Sequence, residues 1–190
     1  MGNRIMSARL LPGDIVLVRS ESLVSRLIRL VTRGWREPRT RASHCEIVVT
    51  GGDLAAAVVV SADRGGITQR TIPDLHRGKW ITVYRPRASE LWRMRAAYRA
   101  FDKRGQKYPV WRLIGHLLDW LAGLGVIEVY LFRRVMRSSR VMHCSELVAW
   151  AYWPVVQFGA WPWAVTPDDI DDICSVPGHS DVVCEPGILL

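Results

Sequence analysis

The sequence contains the segment Ser43-His-Cys-Glu-Ile-Val-Val-Thr50, which is followed by Gly51-Gly52. From position 44 it is short, rich in apolar and β-branched residues and closed by a glycine turn, which is typical of a buried β-strand. Similar runs follow at Ala55–Ala62, Ile67–Ile72 and Trp80–Tyr84. Short strands joined by glycine turns predict an antiparallel meander.

Helical patterns occupy much of the rest of the chain. Ser89–Lys103 predicts a helix with a serine cap, and His143–Trp153 predicts a strongly apolar helix. We therefore expect an α+β protein, with an antiparallel sheet packed against helices in a single domain over 1–190. Within it we place a helical insertion at about 105–138 and a Pro/Gly-rich tail at 174–190.

The composition is that of an ordinary globular protein, with 49% hydrophobic and 23% charged residues. The net charge of +8 comes mainly from arginines spread along the whole chain. Because they accompany no nucleic-acid-binding motif, we expect a generic basic surface and no specific nucleic-acid partner. The four cysteines are too scattered for a disulfide scaffold, and the pairing of Cys174 with Cys184 stays open.

No secretory signal is visible at the start of the sequence, so we expect a cytoplasmic protein. A virion-associated or membrane-peripheral location stays open. The apolar run 111–132 is interrupted by Arg112, Asp119 and Glu128, which favours a buried or interfacial helical hairpin over a membrane span.

Two cysteine–histidine neighbourhoods suggest chemistry. His44 begins the predicted strand, and Cys144 lies at the start of the helix beginning His143-Cys-Ser-Glu-Leu-Val148. A cysteine at a helix N-terminus feels the positive end of the helix dipole, which lowers the thiol pKa and favours the nucleophilic thiolate. A histidine on a neighbouring strand would serve as its general base.

The order of these features resembles the permuted branch of the NlpC-type papain-like superfamily, and within it the YiiX-like group, relatives of lecithin:retinol acyltransferase. The resemblance runs from about Leu11 to Asp169. It is carried by five segments: Gly13-Asp-Ile-Val16, Ser25-Arg-Leu-Ile-Arg29, Ser43-His44, Cys144-Ser-Glu-Leu-Val148 and Thr166-Pro-Asp-Asp169.

The resemblance implies a papain-like core in circularly permuted order, with Cys144 as nucleophile and His44 as base. Family members often carry a glutamate as the third polar group, where this sequence has Ser61. A serine can orient an imidazole, but it cannot stabilise an imidazolium as a carboxylate does. Asp63 and Glu46 are the alternatives, and strand alternation places Glu46 on the same face as His44.

The remaining site residues follow from the same resemblance. Tyr108 precedes a helix that lines the cleft in the family, and the backbone of Ser145 would help to bind an oxyanion. His143 and Cys45 are interpreted as structural residues. Zinc bound by His44, Cys45, His143 and Cys144 fits tetrahedral geometry poorly, so we expect no metal and no cofactor.

Two functions are consistent with these features. The first is a thiol hydrolase, a cysteine peptidase or amidase that cleaves an amide or ester bond through a cysteinyl acyl intermediate. Its partner would be a peptide, cell-wall peptide or lipid-linked acyl substrate, with membrane-surface or cell-wall association as an option. The second is a weakened or inactive member that acts as a binding or structural module in a phage or membrane-associated assembly. The sequence leaves the oligomeric state open.

Overall fold

The computed structural model describes residues 8–23, 25, 26, 29, 42–63, 65–107, 118, 121, 122, 142–159 and 161–188. The strands are β1 (Arg9–Leu10), β2 (Ile15–Arg19), β3 (His44–Thr50), β4 (Gly52–Asp53), β5 (Val58–Asp63), β6 (Gly66–Thr71), β7 (Trp80–Pro86) and β8 (Ser180–Ile188). The helices are α1 (Ile72–His76), α2 (Glu90–Asp102), α3 (Cys144–Tyr152) and α4 (Pro167–Ser175), and a 3-10 turn spans Pro162–Ala164.

Six of the strands form one antiparallel sheet in the order β6-β5-β3-β2-β7-β8, and β1 pairs with β4 in a separate ribbon. The predicted meander is correct for β3, β5 and β6, but its fourth predicted strand, β7, pairs with β2 and not with β6. Strand β2 pairs with β3 and β7 at once, so that Val18 lies opposite both His44 and Ile81. The α+β class with an antiparallel sheet is confirmed.

The sheet buries both of its faces. Ile15, Leu17, Cys45 and Ile47 point toward a core shared with α2, α3 and α4. Their alternating neighbours point to the opposite face, where Val16, Val18, Val48, Val59 and Ile81 pack with Ile72 of α1. Because side chains alternate along a strand, β3 can place Cys45 on the helical face and Glu46 on the α1 face.

The Gly13-Asp14 turn before β2 joins the sheet to the helices. Gly13 has φ +91, and a Cβ there would lie 2.6 Å from the Cβ of Arg93 on α2, so only glycine fits without strain. Its carbonyl accepts a hydrogen bond from the Tyr152 hydroxyl at the end of α3. Asp14 is fully buried and accepts two hydrogen bonds of 2.8 Å from the guanidinium of Arg85 on β7.

The C-terminal region differs from the sequence prediction. The segment taken as a Pro/Gly-rich tail at 174–190 contains the end of α4 and the nine-residue strand β8. Pro186 is tolerated because β8 lies at the edge of the sheet. Cys174 and Cys184 are both free and buried, and they belong to the cores on opposite sides of the sheet, so they are not placed to form a disulfide.

Helix α1 is a second element that the sequence analysis missed, because Ile72 was assigned to the preceding strand. Thr71 caps the helix by accepting a hydrogen bond from the amide of Asp74, and Pro73 lies in its first turn. Proline suits this position because its missing N–H has no acceptor there in any case.

The predicted insertion at about 105–138 lies mostly outside the described residues. No helix in the ranges described here is long and apolar enough to cross a membrane.

We predict that Arg85→Met lowers the free energy of unfolding by about 3 kcal/mol, because it leaves the buried Asp14 carboxylate without its cation. Arg87→Met is the matched control, since Arg87 pairs with Asp181 at 2.8 Å with both side chains more than half exposed. Such a surface pair contributes about 1 kcal/mol at most. Urea unfolding of both variants measures the difference, and equal losses would contradict the role given to Asp14.

Candidate active site

Cys144 is the first residue of α3, as the sequence predicts, and His143 is the N-cap. The Nδ1 atom of His143 accepts a hydrogen bond of 3.1 Å from the backbone N–H of Glu146. Histidine is not among the common N-cap residues. It serves here because a deprotonated Nδ1 can accept the bond that a serine or aspartate oxygen usually accepts. His143 therefore has a defined structural role, in keeping with its sequence interpretation.

The side chain of His44, the first residue of β3, is close enough to Cys144 that each group shifts the pKa of the other. Its Nε2 atom lies 2.9 Å from Ser61 Oγ and 3.1 Å from Glu46 Oε1. Because both of these oxygens face Nε2, Nδ1 remains as the ring nitrogen for the thiol. The imidazole is 23% exposed, whereas Cys144 is 7% exposed, so solvent reaches the pair mainly at the histidine.

Glu46 lies between two histidines and has no solvent exposure. Its Oε1 faces His44, and its Oε2 lies 2.9 Å from Nε2 of His76, the last residue of α1. The His44 and His76 rings are 6.2 Å apart between centroids and tilted by 55°. The carboxylate thus has an imidazole at each of its oxygens.

The charges in this cluster favour an ion pair between Cys144 and His44. Burial by itself would lower the pKa of His44, but the Cys144 thiolate and the Glu46 carboxylate outweigh it and raise the pKa to about 10. Burial would raise the pKa of Glu46, but His44 and His76, one beside each carboxylate oxygen, hold it well below its usual range. Glu46 is therefore the anion on the far side of the imidazolium.

The pKa of the Cys144 thiol is lowered well below its ordinary value. The largest cause is a hydrogen bond from the Cys45 side chain, and the charge and hydrogen bond of His44 add to it against the opposing effect of burial. Cys45 is itself buried, with 1% exposure. Burial is the main cause that raises the pKa of its thiol, and the neighbouring Cys144 thiolate raises it further. Cys45 therefore stays protonated and can act as a hydrogen-bond donor. The core interpretation of Cys45 was right about its burial and missed this contact.

The start of α3 also offers hydrogen-bond donors. The first N–H groups of a helix have no acceptor within it, and His143 accepts a hydrogen bond from that of Glu146. The N–H groups of Cys144 and Ser145 belong to the same first turn, next to the sulfur, where an oxyanion would be bound. The Ser145 hydroxyl is used elsewhere, because it donates to the carbonyl of Val165 at 2.7 Å.

A cavity of about 200 Å³ lies along β2 and β7, and neither His44 nor Cys144 is among its lining residues. Val18 and Leu17 are part of its wall, and they pair directly with His44 and Cys45 across the sheet. The other lining residues are Arg19, Ala42, Trp80, Thr82 and Asp171. The cavity is mainly apolar, with Asp171 as its acidic group and Arg19 as its basic one.

Of the predicted third residues, Ser61 and Glu46 both reach His44, whereas Asp63 is engaged in the β5–β6 turn, where its Oδ1 accepts a 2.7 Å hydrogen bond from the amide of Gly65. Tyr108 lies outside the described residues.

His76 is a functional residue that was not predicted from the sequence. Its one sequence signal is its place after Ile72-Pro-Asp-Leu75, which forms a short capped helix that ends at His76. In the described ranges, no group of three His, Cys, Asp or Glu side chains is placed to hold a metal ion.

Comparisons with protein-family models, with curated proteins and with solved structures find no match for this chain.

We predict that His143→Ala lowers the free energy of unfolding by about 1 kcal/mol, since it removes the acceptor for the Glu146 amide. His143→Asn restores an oxygen acceptor at the N-cap and should lose less than half of that amount. Denaturant titration of the three proteins distinguishes the cases. If the asparagine variant is as unstable as the alanine variant, His143 acts by packing and not as a cap.

Proposed function

We propose that this protein is a cysteine hydrolase that cleaves an amide or ester bond through an acyl intermediate on Cys144. The observation that carries the proposal is the placement of Cys144 at the first position of α3, where it interacts electrostatically with His44, whose Nε2 faces Glu46 and Ser61. A thiolate at a helix N-terminus, a base and an orienting carboxylate are the parts that nucleophilic acyl transfer requires.

In the first half of the reaction, the Cys144 thiolate attacks the substrate carbonyl carbon. The negative oxygen of the tetrahedral intermediate accepts hydrogen bonds from the N–H groups of Cys144 and Ser145. The His44 imidazolium then gives its Nδ1 proton to the leaving amine or alcohol, and the carbon–nitrogen or carbon–oxygen bond breaks. This leaves an acyl thioester on Cys144 and a neutral imidazole.

In the second half, neutral His44 takes a proton from water, and the resulting hydroxide attacks the thioester. Collapse of the second intermediate releases the acid and restores the thiolate–imidazolium pair. Glu46 stabilises the imidazolium in both halves, and Ser61 fixes the orientation of the ring from the neighbouring strand. Glu46 therefore supplies the negative charge that the serine at position 61 lacks.

The substrate classes follow from the resemblance to the permuted NlpC-type family: a peptide amide, including cell-wall peptides, or a lipid-linked acyl group. The apolar lining of the cavity along β2 and β7 would suit an apolar side chain or acyl chain of a substrate that extends from Cys144 to this cavity. An acceptor other than water at the second step would make the same site an acyltransferase.

The first test is the rate at which iodoacetamide labels Cys144 as a function of pH. The pair is ionised from the lowered pKa of Cys144 up to the His44 pKa of about 10. We therefore expect labelling to remain fast from weakly acidic pH upward. His44→Ala removes the imidazolium that pairs with the thiolate, so it should raise the thiol pKa and slow labelling at pH 6 by at least about tenfold.

Cys174 is the internal control for this test. It is buried, and burial raises its pKa to about 12, so it should label slowly at every neutral pH. If Cys144 reacts no faster than Cys174, the enzyme proposal fails and a binding or structural module that keeps the fold without turnover becomes the better account.

A second test compares the two groups that face His44 Nε2. Glu46→Gln removes the negative charge with little change of shape and should slow hydrolysis of p-nitrophenyl acetate by at least about tenfold. Ser61→Ala removes one neutral hydrogen bond and should slow it by about threefold or less. Circular dichroism verifies that both variants are folded. A larger loss in Ser61→Ala than in Glu46→Gln would show that the serine is the functional third residue.

A further inference from the structure

We propose that His76 is a positioning residue for this site: it holds the Glu46 carboxylate in place from the α1 side, so that Glu46 in turn fixes His44. The inference rests on the proposed function, because it concerns the orientation of the base that acts on Cys144. It extends the predicted pair to a chain of four groups, Cys144, His44, Glu46 and His76.

Glu46 has a histidine nitrogen near each of its two carboxylate oxygens. A buried carboxylate has two oxygens to satisfy, and each unpaired one is costly. Oε1 faces His44 at 3.1 Å and Oε2 faces His76 at 2.9 Å. In the described part of the chain, neither Oε2 of Glu46 nor Nε2 of His76 has a hydrogen bond of good angle. At 2.9 Å, each of these two atoms is within hydrogen-bond reach of the other.

The surroundings of His76 orient its ring for this role. The side chain of Lys79, just after α1, places Nζ 3.4 Å from Nδ1 of His76 and 2.6 Å from the carbonyl of Leu75. An ammonium group can only donate, so Nδ1 acts as the acceptor and the ring proton lies on Nε2, toward Glu46. His76 is 3% exposed, and the neighbouring Ile72 is fully buried against the sheet, which holds the helix in place.

Loss of His76 would leave one oxygen of a fully buried carboxylate unpaired. The carboxylate would then rotate away from His44 or take up a proton at higher pH, and either change weakens its support of the imidazolium. Besides His44, the titratable groups around this cluster are Cys45 on the same strand, Cys144 and His143 at the start of α3, and Lys79 beside α1. A histidine that merely fills the core would have no effect on the ionisation of Cys144.

The test is the pH profile of Cys144 alkylation by iodoacetamide in the wild type, His76→Leu and His76→Gln. In His76→Leu we expect the midpoint of the acid limb to move up by about one pH unit. In His76→Gln we expect it to return to within about 0.3 unit of the wild type, because the amide of glutamine reaches as far as Nε2 and donates to Glu46 without titrating. His179→Gln, at an exposed position in the turn before β8, is the control and should leave the profile unchanged.

A folded His76→Leu protein whose acid-limb midpoint equals that of the wild type overturns the proposal. A lower maximal alkylation rate with an unchanged midpoint overturns it too, because that result indicates a packing defect. If the leucine variant does not fold, His76→Asn takes its place. Its amide is too short to reach Glu46, so it should show the same shift, and a wild-type midpoint there overturns the proposal equally. A wild type with an ordinary thiol profile would instead contradict the proposed function, and this inference with it.

Discussion

A carboxylate that is shut off completely from water needs partners for its charge, and in this protein Glu46 finds them in two histidines from different elements. His44 comes from the start of the same strand, and His76 comes from the end of α1, which packs on the face of the sheet opposite α2, α3 and α4. The free energy needed to bury the charge is recovered only if both rings are in place. The position of α1, the rotamer of His44 and the ionisation of Cys144 are therefore linked through one side chain.

The helical face of the sheet imposes a second constraint, which places the sulfur. Helix α3 starts at Cys144 and ends at Tyr152, whose hydroxyl binds the carbonyl of Gly13 in the turn before β2. The same turn carries Asp14, which Arg85 holds from β7. Since β2 is paired with β3, fixing the far end of α3 to this turn also fixes where its N-terminus meets His44. The Gly-Asp pair thus contributes to the site from a distance, by setting the helix against the sheet.

The sequence allowed the main parts of the site to be predicted, because each had a local signal. The strand His44–Thr50 and the apolar helix that begins at Cys144 were both visible as patterns, and strand alternation was enough to pair Glu46 with His44. His76 had no such signal, since its contact with Glu46 depends on a short helix folding back onto the sheet. The donor role of Cys45 was hidden for a similar reason. Strand alternation places Cys45 and His44 on opposite faces of β3, yet Cys144 at the N-terminus of α3 interacts with both side chains.

The edge strand β8 was not predicted, because proline and glycine at positions 186 and 187 are typical of a loop or tail when only the local sequence is considered. Their place in a strand depends on the pairing of β8 with β7. The predicted permuted papain-like order rests on resemblance alone, and the segment that would hold Tyr108 lies outside the described residues.

Function at this site depends on Cys144 and His44 existing as a thiolate–imidazolium pair at neutral pH. Thiolate absorbance in the ultraviolet, followed during a pH titration as the difference between the wild type and Cys144→Ser, measures this ionisation. We expect the difference to be present already at pH 6, with a midpoint well below the range of an ordinary thiol. A difference that first appears with a midpoint near about 8.5, the value for a free cysteine, would contradict it.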